Sequence, residues 1–567
     1  MEIDRLLEIG AIIREEPIED QFLSPFFLVP KSDGKQRFIL NLKGLNLLIQ
    51  TEHFKLEDLR SACNLLELDW FMGTIDLKDA YFLVPVWQSH RKFLRFIFKE
   101  QIFEFVCLPF GLSSSSHVFT KLMKPVISFL RLRGFYSVLY LDDFLCLGST
   151  FEECAENLRV TIDLLERLGF IVNRKKSMLT PDWRCRYLGF ILDSHSMMVE
   201  LPEDKRKALL DQINIFQHKK EVKIRDFAKL LGSLVACCQA VEYSLLHCRL
   251  FERAKITALN NSGGYFDAVM KLPGMIQEDW IWWKKALLNP CRKIRKNIYD
   301  RIIFSDASLS GWGAFCDKKG AHGLWNQEER ALHINHLELK AALLALKCFA
   351  SDLRDLEILL RVDNTTTMAY INRMGGVRYA GLHKLAQEFW NWCEERRLWV
   401  HASYIPSEDN IEADRCSRID NFDTEWELAN YAFDMVVRNF GNLEIDLFAS
   451  RINSKYPVYC SWKRDPNAWA FDAFTISWSK WFFYAFPPFS MVAKVIRKIK
   501  KDKAKGVLIL PYWPTQNWFP AFQRLADSDW VWLEASTNLL VSPCRSRQHP
   551  LASKLTLVAA RLSAKRS

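Results

Sequence analysis

The sequence predicts a multidomain protein of α+β and α/β architecture. Three observations carry that prediction. The chain has 567 residues, which at about 150 residues per domain corresponds to roughly three to four domains. Hydrophobic residues make up 49% and charged residues 25%, the balance of a chain that builds packed cores. Short apolar runs bounded by polar turns are interleaved with amphipathic helical stretches, first as a mixture and then as two blocks in which strands and helices alternate.

The elements follow in order. Ser32-Asp33-Gly34-Lys35 is a turn between the apolar runs Phe26–Val29 and Arg37–Leu42, which predicts a hairpin. Residues 70–110 read as strand, helix, strand, strand. Leu122–Arg131 is predicted as a helix, and Ser137–Leu147 as a strand with Asp142-Asp143 inside it. Phe151–Leu168 is an amphipathic helix ended by Gly169 at a C-cap position. Residues 202–260 read as helical, with basic surface positions.

A second block begins near Asn297. Ile302–Asp306 and Gly311–Cys316 read as strands, Leu337–Ala350 as a helix, Glu357–Val362 as a strand, Tyr379–Arg396 as a helix, Trp399–Ile405 as a strand, and Asn410–Ser417 as the start of a helix. That is a mixed sheet with helices. A third block, from about Leu443, alternates short strands (Glu444–Phe448, Val507–Leu510, Trp530–Leu533) with helical segments. The expected divisions are residues 1–197, 198–296, 297–420, a linker at 421–442, and 443–567.

Composition excludes several classes. The 77 Lys and Arg against 67 Asp and Glu leave a net charge of +10, which is mild for this length and permits a polyanionic partner without demanding one. The 15 cysteines are an odd number, scattered, with no CxxC pair, so reduced intracellular thiols are expected rather than a disulfide framework or zinc ribbon. Met1–Asp20 is acidic and lacks the pattern of a signal peptide. Ile476–Ile496 contains Lys480, Lys494 and Pro487-Pro488, and reads as an aromatic core segment rather than a membrane span. The expectation is an intracellular protein of cytoplasm or nucleus, neither secreted nor in a membrane.

Asp142-Asp143 lies between Val138-Leu139 and Leu145-Cys146-Leu147. A lone Asp-Asp is most simply a strand end turned to solvent. Apolar continuation on both sides argues against that, because adjacent buried carboxylates repel. A tight hairpin presenting both to a divalent cation answers the objection. Asp76, at the end of a short strand, offers a third carboxylate. Three carboxylates holding two Mg²⁺ about 3.5–4 Å apart suit phosphoryl transfer.

Five runs occur in order: Val29-Pro30-Lys31 with Gln36-Arg37-Phe38 and Leu45-Asn46; Ile75-Asp76-Leu77-Lys78-Asp79-Ala80-Tyr81; Leu108-Pro109-Phe110-Gly111-Leu112; Tyr140-Leu141-Asp142-Asp143; and Arg186-Tyr187-Leu188-Gly189-Phe190. In order and spacing they resemble the reverse transcriptases of retroelements. The resemblance implies right-hand polymerase fingers and palm over 1–197, and a thumb and connection over 198–296 that grips duplex by shape and backbone charge. It implies Asp76, Asp142 and Asp143 as catalytic metal ligands. Lys31 and Arg37 would contact nucleotide phosphates, although the match at Lys31 needs a one-residue gap. Tyr81 would exclude a ribose 2′-OH. Phe110 and Gly111 would line the nucleotide pocket. Lys175, with Lys176 an equal alternative, would lie near the leaving pyrophosphate.

Asp306 ends one strand, Glu338 opens a helix, Asp363 follows another strand, and Asp414 opens the last helix. Alone, each is an ordinary acid. In this order they resemble the four-carboxylate set of ribonuclease H over residues 297–420, which implies a second two-metal centre that cleaves the RNA strand of an RNA–DNA hybrid. One departure is the loop before Asp414. Tyr404-Ile405-Pro406-Ser407-Glu408-Asp409-Asn410 carries no His, and His401 falls too early; gypsy-type elements resemble this chain in lacking that His. The departure puts rate and product release in question.

In residues 443–567, Glu444–Ser450 and Phe486-Pro487-Pro488-Phe489 resemble degenerate adenine methyltransferase motifs. The glycine-rich turn is missing and Phe486 stands where Asn or Asp would hold the target amine, so S-adenosylmethionine is not expected as a cofactor. This tail, with Leu510–Trp518, resembles the region after ribonuclease H in DIRS-type retrotransposons. Lys494–Lys505 carries seven basic residues and one acid, a solvated helix face or a phosphate-binding strip.

The expected activity is therefore RNA-directed DNA polymerase with ribonuclease H, using two Mg²⁺ per active site with Mn²⁺ as the alternative ion. The expected partners are RNA template, DNA primer, RNA–DNA hybrid and dNTPs, with a separately encoded tyrosine recombinase completing the element. The rival readings are a catalytically silent, element-derived RNA/DNA-binding protein, and a nuclease whose polymerase half is a hybrid clamp.

Overall fold

In the computed structural model, which describes residues 2–30, 36–50, 54–418, 426–544 and 548–564, chain order and space part company at the helix Arg249–Asn261. Residues 1–244 and 265–297 cluster as one unit, and residues 245–264 and 298–567 as a second. The block expected at 198–296 is thus divided. The Arg249 Nε donates to the Arg373 carbonyl at 3.1 Å, a bond within the second unit.

In the first unit, β1 (Phe26–Pro30) and β2 (Gln36–Leu40) pair antiparallel as expected, in register from Phe26↔Leu40 to Pro30↔Gln36, while the turn expected at Ser32–Lys35 lies outside the described residues. The elements that carry the first site are β3 (Phe71–Lys78), α1 (Ser115–Arg131), β4 (Tyr136–Tyr140), β5 (Asp143–Gly148), α2 (Phe151–Arg167), β6 (Ile171–Val172) and β7 (Met178–Asp182). Their sheet has the order β7-β3-β5-β4, with β6 also pairing β3, and every pair is antiparallel. Phe119, Met123 and Ile127 of α1 and Cys154, Leu158 and Leu165 of α2 share one core with Ile75, Leu77, Phe144 and Cys146 of the sheet. Helix α2 starts where Thr150 accepts the Glu153 N–H at 3.2 Å. It ends before Gly169, which has φ +90°, as expected from a glycine C-cap.

Two expectations change here. The strand expected over Ser137–Leu147 is two strands, β4 and β5, because a two-residue turn at Leu141-Asp142 interrupts it. Helix α1 begins at Ser115 rather than Leu122; the serine run reads as loop by propensity, but Ser115 is buried and its Oγ donates to the Pro109 carbonyl at 3.1 Å.

The second unit holds β8 (Arg301–Ala307), β9 (Gly311–Cys316), β10 (Lys319–Leu324), α3 (Ile334–Phe349), β11 (Glu357–Val362), β12 (Trp399–Tyr404) and α4 (Ile411–Ser417). The sheet order is β10-β9-β8-β11-β12, antiparallel through β8 and parallel beyond it. Strand β10 was not foreseen, because Lys-Gly-Ala-His-Gly-Leu lacks β-branched residues; as an edge strand it is held by one neighbour. The helix Thr365–Asn372 was also missed, since three threonines argue against helix. The Asn364 cap that accepts the Thr367 N–H at 2.9 Å starts it.

The same unit continues with β13 (Ile445–Asp446), β14 (Phe482–Ala485), α5 (Val492–Asp502), β15 (Lys505–Pro511), β16 (Val531–Leu533) and β17 (Leu557–Ser563). The order is β13-β14-β15-β17-β16; the first three are parallel and β17 is antiparallel to both neighbours. The linker expected at 421–442 is, over its described part, a strand Glu427–Leu428 and a helix Asn430–Phe440. Ala432 and Val436 of that helix are buried in the core with Tyr484, Val507 and Leu557. All 15 cysteines are free thiols, and no helix among the described residues is long and apolar enough to cross a membrane.

Candidate active sites

The first site is built on register. Asp76 on β3 is paired directly with Asp143 at the start of β5. Asp143 also closes the β4–β5 hairpin opposite Tyr140, so Leu141-Asp142 is a two-residue turn. Leu141 has φ +57°, the position where such turns favour glycine, and a left-handed leucine is a local strain. The Leu77 N–H donates to the Asp142 carbonyl at 3.1 Å, which docks the turn on β3. Asp76 is held from below. Its N–H donates to Ser177 Oγ at 3.0 Å, and its Oδ1 accepts from Asn173 Nδ2 at 2.7 Å.

The electrostatics follow from that crowding. Burial raises Asp142 above the ordinary carboxylate range, and the Asp76 charge adds to it. Burial also pushes Asp143 up to about 6, with Asp142 and Asp76 contributing. Arg37 and Lys176 act in the opposite sense on Asp142. Lys175 and Lys176 are both exposed; the Lys176 charge acts on both aspartates, and Lys175 is not among those charges. The carboxylate oxygens of the three aspartates do not all close within 4.8 Å of one another.

Around them, Arg37 lies 5.0 Å from the Phe110 ring centroid, and Tyr81 meets Phe110 at 5.4 Å and Phe119 at 5.1 Å. The Tyr81 hydroxyl donates to Ser116 Oγ at 3.2 Å. Tyr81 is raised mainly by burial, with Asp142 adding. Gly111 has φ +111°, and a Cβ there would lie 2.0 Å from the Leu40 carbonyl oxygen, so no side chain fits. Arg37, Tyr81, Phe110 and Gly111 thus gather near the Asp142 turn, whereas Lys31 lies outside the described residues.

The second site is tighter. Asp306 on β8, Glu338 on α3 and Asp363 after β11 each offer a carboxylate oxygen, all within 4.8 Å of one another. Asp306 and Glu338 are buried, 4% and 5% exposed. Burial pushes Glu338 up to about 9, with Asp306 and Asp363 adding repulsion; Asp306 rises to about 6, again mainly by burial. Glu338 Oε2 is buried with no hydrogen-bond partner. An orphaned carboxylate oxygen facing two other carboxylates suits a divalent cation, which would satisfy the oxygen and cancel the repulsion.

Asp414 on α4 stands apart from that group of three. It accepts from Arg418 Nε at 2.7 Å. Ser407 Oγ donates to Asp363 Oδ2 at 2.7 Å, from the loop where the sequence lacks a histidine. His401 lies in β12 as expected, its ring parallel to Tyr299 at 6.3 Å.

Sequence reasoning did not single out Asn173, Ser177, Ser407 or Arg418. Only Arg418 carried a signal, four residues after Asp414 on one helix face. Asn173 is 97 positions from its partner Asp76, and no local pattern reports such a contact.

In the C-terminal sheet, Asp446 is buried and accepts the N–H groups of Phe448 and Lys455 at 3.2 and 3.1 Å, a turn-forming role. Phe448, Phe486 and Phe489 line a cavity of about 540 Å³.

Residues 29–192 match the family model described as reverse transcriptase (RNA-dependent DNA polymerase). Over those residues the chain carries a reverse transcriptase domain. It is 22% identical over 446 residues to the enzymatic polyprotein of Figwort mosaic virus, covering 74% of this chain and 61% of that protein. It is 24% identical over 451 residues to the enzymatic polyprotein of Cauliflower mosaic virus (strain CM-1841), covering 74% and 60%. The chain thus spans about 60% of the length of these curated relatives. Among solved structures it is similar to a foamy viral protease-reverse transcriptase in complex with double-stranded DNA, at 18% identity and a TM-score of 0.45, covering 71% of this chain and 68% of that one.

Proposed function

We propose that the chain is an RNA-directed DNA polymerase with ribonuclease H activity, encoded by a DIRS-type retrotransposon. The observation that carries the polymerase is the register that sets Asp143 opposite Asp76 with Asp142 in the adjoining turn. These carboxylates would hold Mg²⁺, or Mn²⁺ in its place. Bound there, the ions lower the pKa of the attacking primer hydroxyl and stabilise charge on the transferring phosphoryl group.

The chain's own residues have separate tasks. Asn173 and Ser177 orient Asp76. Arg37 and Lys176 supply positive charge beside Asp142, where nucleotide phosphates would lie. Tyr81, wedged between Phe110 and Phe119, offers a rigid wall against a ribose 2′-OH. Gly111 lets the chain beside Phe110 pass against the Leu40 carbonyl, where no side chain fits. Template RNA, primer DNA, their hybrid and dNTPs are the corresponding ligands.

Asp306, Glu338 and Asp363 support the ribonuclease H reading, because their oxygens converge and Glu338 Oε2 awaits a partner. Asp414 would join after release from Arg418. The C-terminal unit is read as a methyltransferase-like remnant without S-adenosylmethionine. The element assignment, and with it a separate tyrosine recombinase, rests on the sequence of that tail.

Primer extension on a poly-RNA template with labelled dNTPs and Mg²⁺ tests the proposal, with Asp142→Asn/Asp143→Asn as the control. Extension that is lost in the double variant is the expected result. A folded wild-type chain that binds hybrid and does not extend would favour the silent binder.

A further inference from the structure

The run Lys494–Lys505 has seven basic residues and one acid, and the fold sorts them. Helix α5 buries Val492, Val495, Ile496 and Ile499 in the core of the C-terminal sheet. Lys494, Arg497, Lys500 and Lys501 fall on the opposite face at helical spacing, and all are exposed. Lys503 and Lys505, also exposed, continue the charge beyond the helix end.

Three features set this face apart from an ordinary solvated one. First, its charge is uncompensated. Asp502, the acid of the run, is turned inward, accepting from Lys498 Nζ at 2.9 Å and from the Trp478 N–H at 2.9 Å. Among the described residues, Arg497, Lys500, Lys501, Lys503 and Lys505 form no ion pair. Second, Arg497 lies three and four positions from Lys500 and Lys501, like-charge spacings that weaken a helix; solvated faces usually alternate sign. Third, Lys503 caps the helix in the left-handed region with φ +49°, and the Ala504 N–H closes onto the Ile499 carbonyl at 3.1 Å. Glycine takes that conformation at lower cost, yet a cation stands there.

We propose that the exposed face of α5, extended by Lys503 and Lys505, binds the phosphate backbone of a nucleic acid without reading its sequence. Charge complementarity carries the assignment: a single-sign cationic strip on a rigid helix fits a polyanion, and the bound polyanion removes the repulsion within the helix. An anionic membrane surface shares the charge but not the geometry. A helix that lies in a membrane exposes its apolar face, and the apolar face of α5 is already spent in the core. The inference rests on the polymerase reading only in taking nucleic acid as the ligand.

The test uses the full chain, a labelled RNA–DNA hybrid and binding titrations between about 50 and 200 mM NaCl. In Arg497→Gln/Lys500→Gln/Lys501→Gln, the slope of log affinity against log salt should fall by about 2–3, since each lost phosphate contact removes about 0.9. The wild type's loss of affinity across that range should accordingly shrink by roughly 40-fold. Arg497→Lys/Lys500→Arg/Lys501→Arg should keep the wild-type slope. An unchanged slope in the glutamine variant, with unfolding temperature preserved, overturns the proposal. So does wild-type binding to phosphatidylserine vesicles that hybrid fails to displace. Primer extension is scored separately on the same preparations. A chain that shows the slope change but never extends a primer supports this surface and removes the polymerase reading.

Discussion

Asp76 and Asp143 face each other across an antiparallel strand pair, two acids in the position where like charges repel. The fold holds them there from both sides. Asn173 and Ser177 fix Asp76, and the Leu77 N–H fixes the strained turn that carries Asp142. Burial adds to the repulsion, so Asp142 and Asp143 both titrate above the ordinary range. A divalent cation held between these carboxylates would offset their repulsion.

Asp142→Asn with Asp143→Asn should abolish primer extension, a loss of about 10³-fold or more. Cleavage of the RNA strand in a hybrid should be spared, because its carboxylates lie on β8, on α3 and just after β11. Assaying both activities on one preparation checks this. Loss of both in a folded protein would contradict independent centres.

Tyr81→Ala should let ribonucleotides in, lowering the preference for dNTPs by at least about tenfold. Tyr81→Phe should retain the preference, because the wall is made by the ring between Phe110 and Phe119 rather than by the hydroxyl on Ser116. Competition between dNTP and rNTP incorporation is the measurement. Equal selectivity in wild type and Tyr81→Ala would take Tyr81 out of that role.

Glu338 sits at about 9 and Asp306 at about 6 in the folded chain, above their ordinary values. A raised folded pKa means that the native state binds more protons, so stability is fully present below about pH 4 and declines as pH rises through 6 toward 9. Without divalent cations, the unfolding temperature of the second unit should therefore fall between pH 5 and 9. Glu338→Gln should flatten that fall and also stop hybrid cleavage. Mg²⁺ should raise the wild-type unfolding temperature most at the alkaline end. Thermal scans with EDTA or Mg²⁺ at several pH values decide it.

Arg451 forks onto Glu329, donating from two nitrogens at 2.7 and 2.9 Å, and Lys340 joins at 2.6 Å. Glu329 is nearly buried, and burial alone would raise it; Arg451 and Lys340 outweigh that and hold it at about 2. Arg451→Ala should cost about 3 kcal/mol, since it leaves a buried carboxylate short of its main partner. The sign is opposite to that of Glu338: this stability is present above about pH 4.5 and is lost as pH falls toward 2. Urea unfolding at neutral and acid pH measures both. A variant as stable as wild type would show the pair to be dispensable.

Much of this was legible in the chain because its signals are local. The β1–β2 pairing was marked by its two apolar runs, α2 by its apolar stripe and Gly169, and β11 by the run Ile358-Leu359-Leu360. Reading failed where neighbours override propensity. Strand β10 exists because β9 pairs with it, and Asn430–Phe440 is a helix because Ala432 and Val436 have a core to enter. The helix Arg249–Asn261 was placed with its sequence neighbours, whereas its contacts lie in the second unit.

The amino-acid sequence by itself determined the residue types and the order of both carboxylate sets, since motif spacing is a property of the chain. Tertiary structure alone decided which charges meet. It brought Asn173 to Asp76 across 97 positions, set the Lys176 charge against Asp142 and Asp143, closed Asp306, Glu338 and Asp363 together while Arg418 took Asp414, and turned Asp502 inward so that α5 shows one sign of charge. The physical reason is range. Turn chemistry and periodicity act over a few residues, while charge and burial act over a few ångströms of space, and only the packed chain converts one into the other.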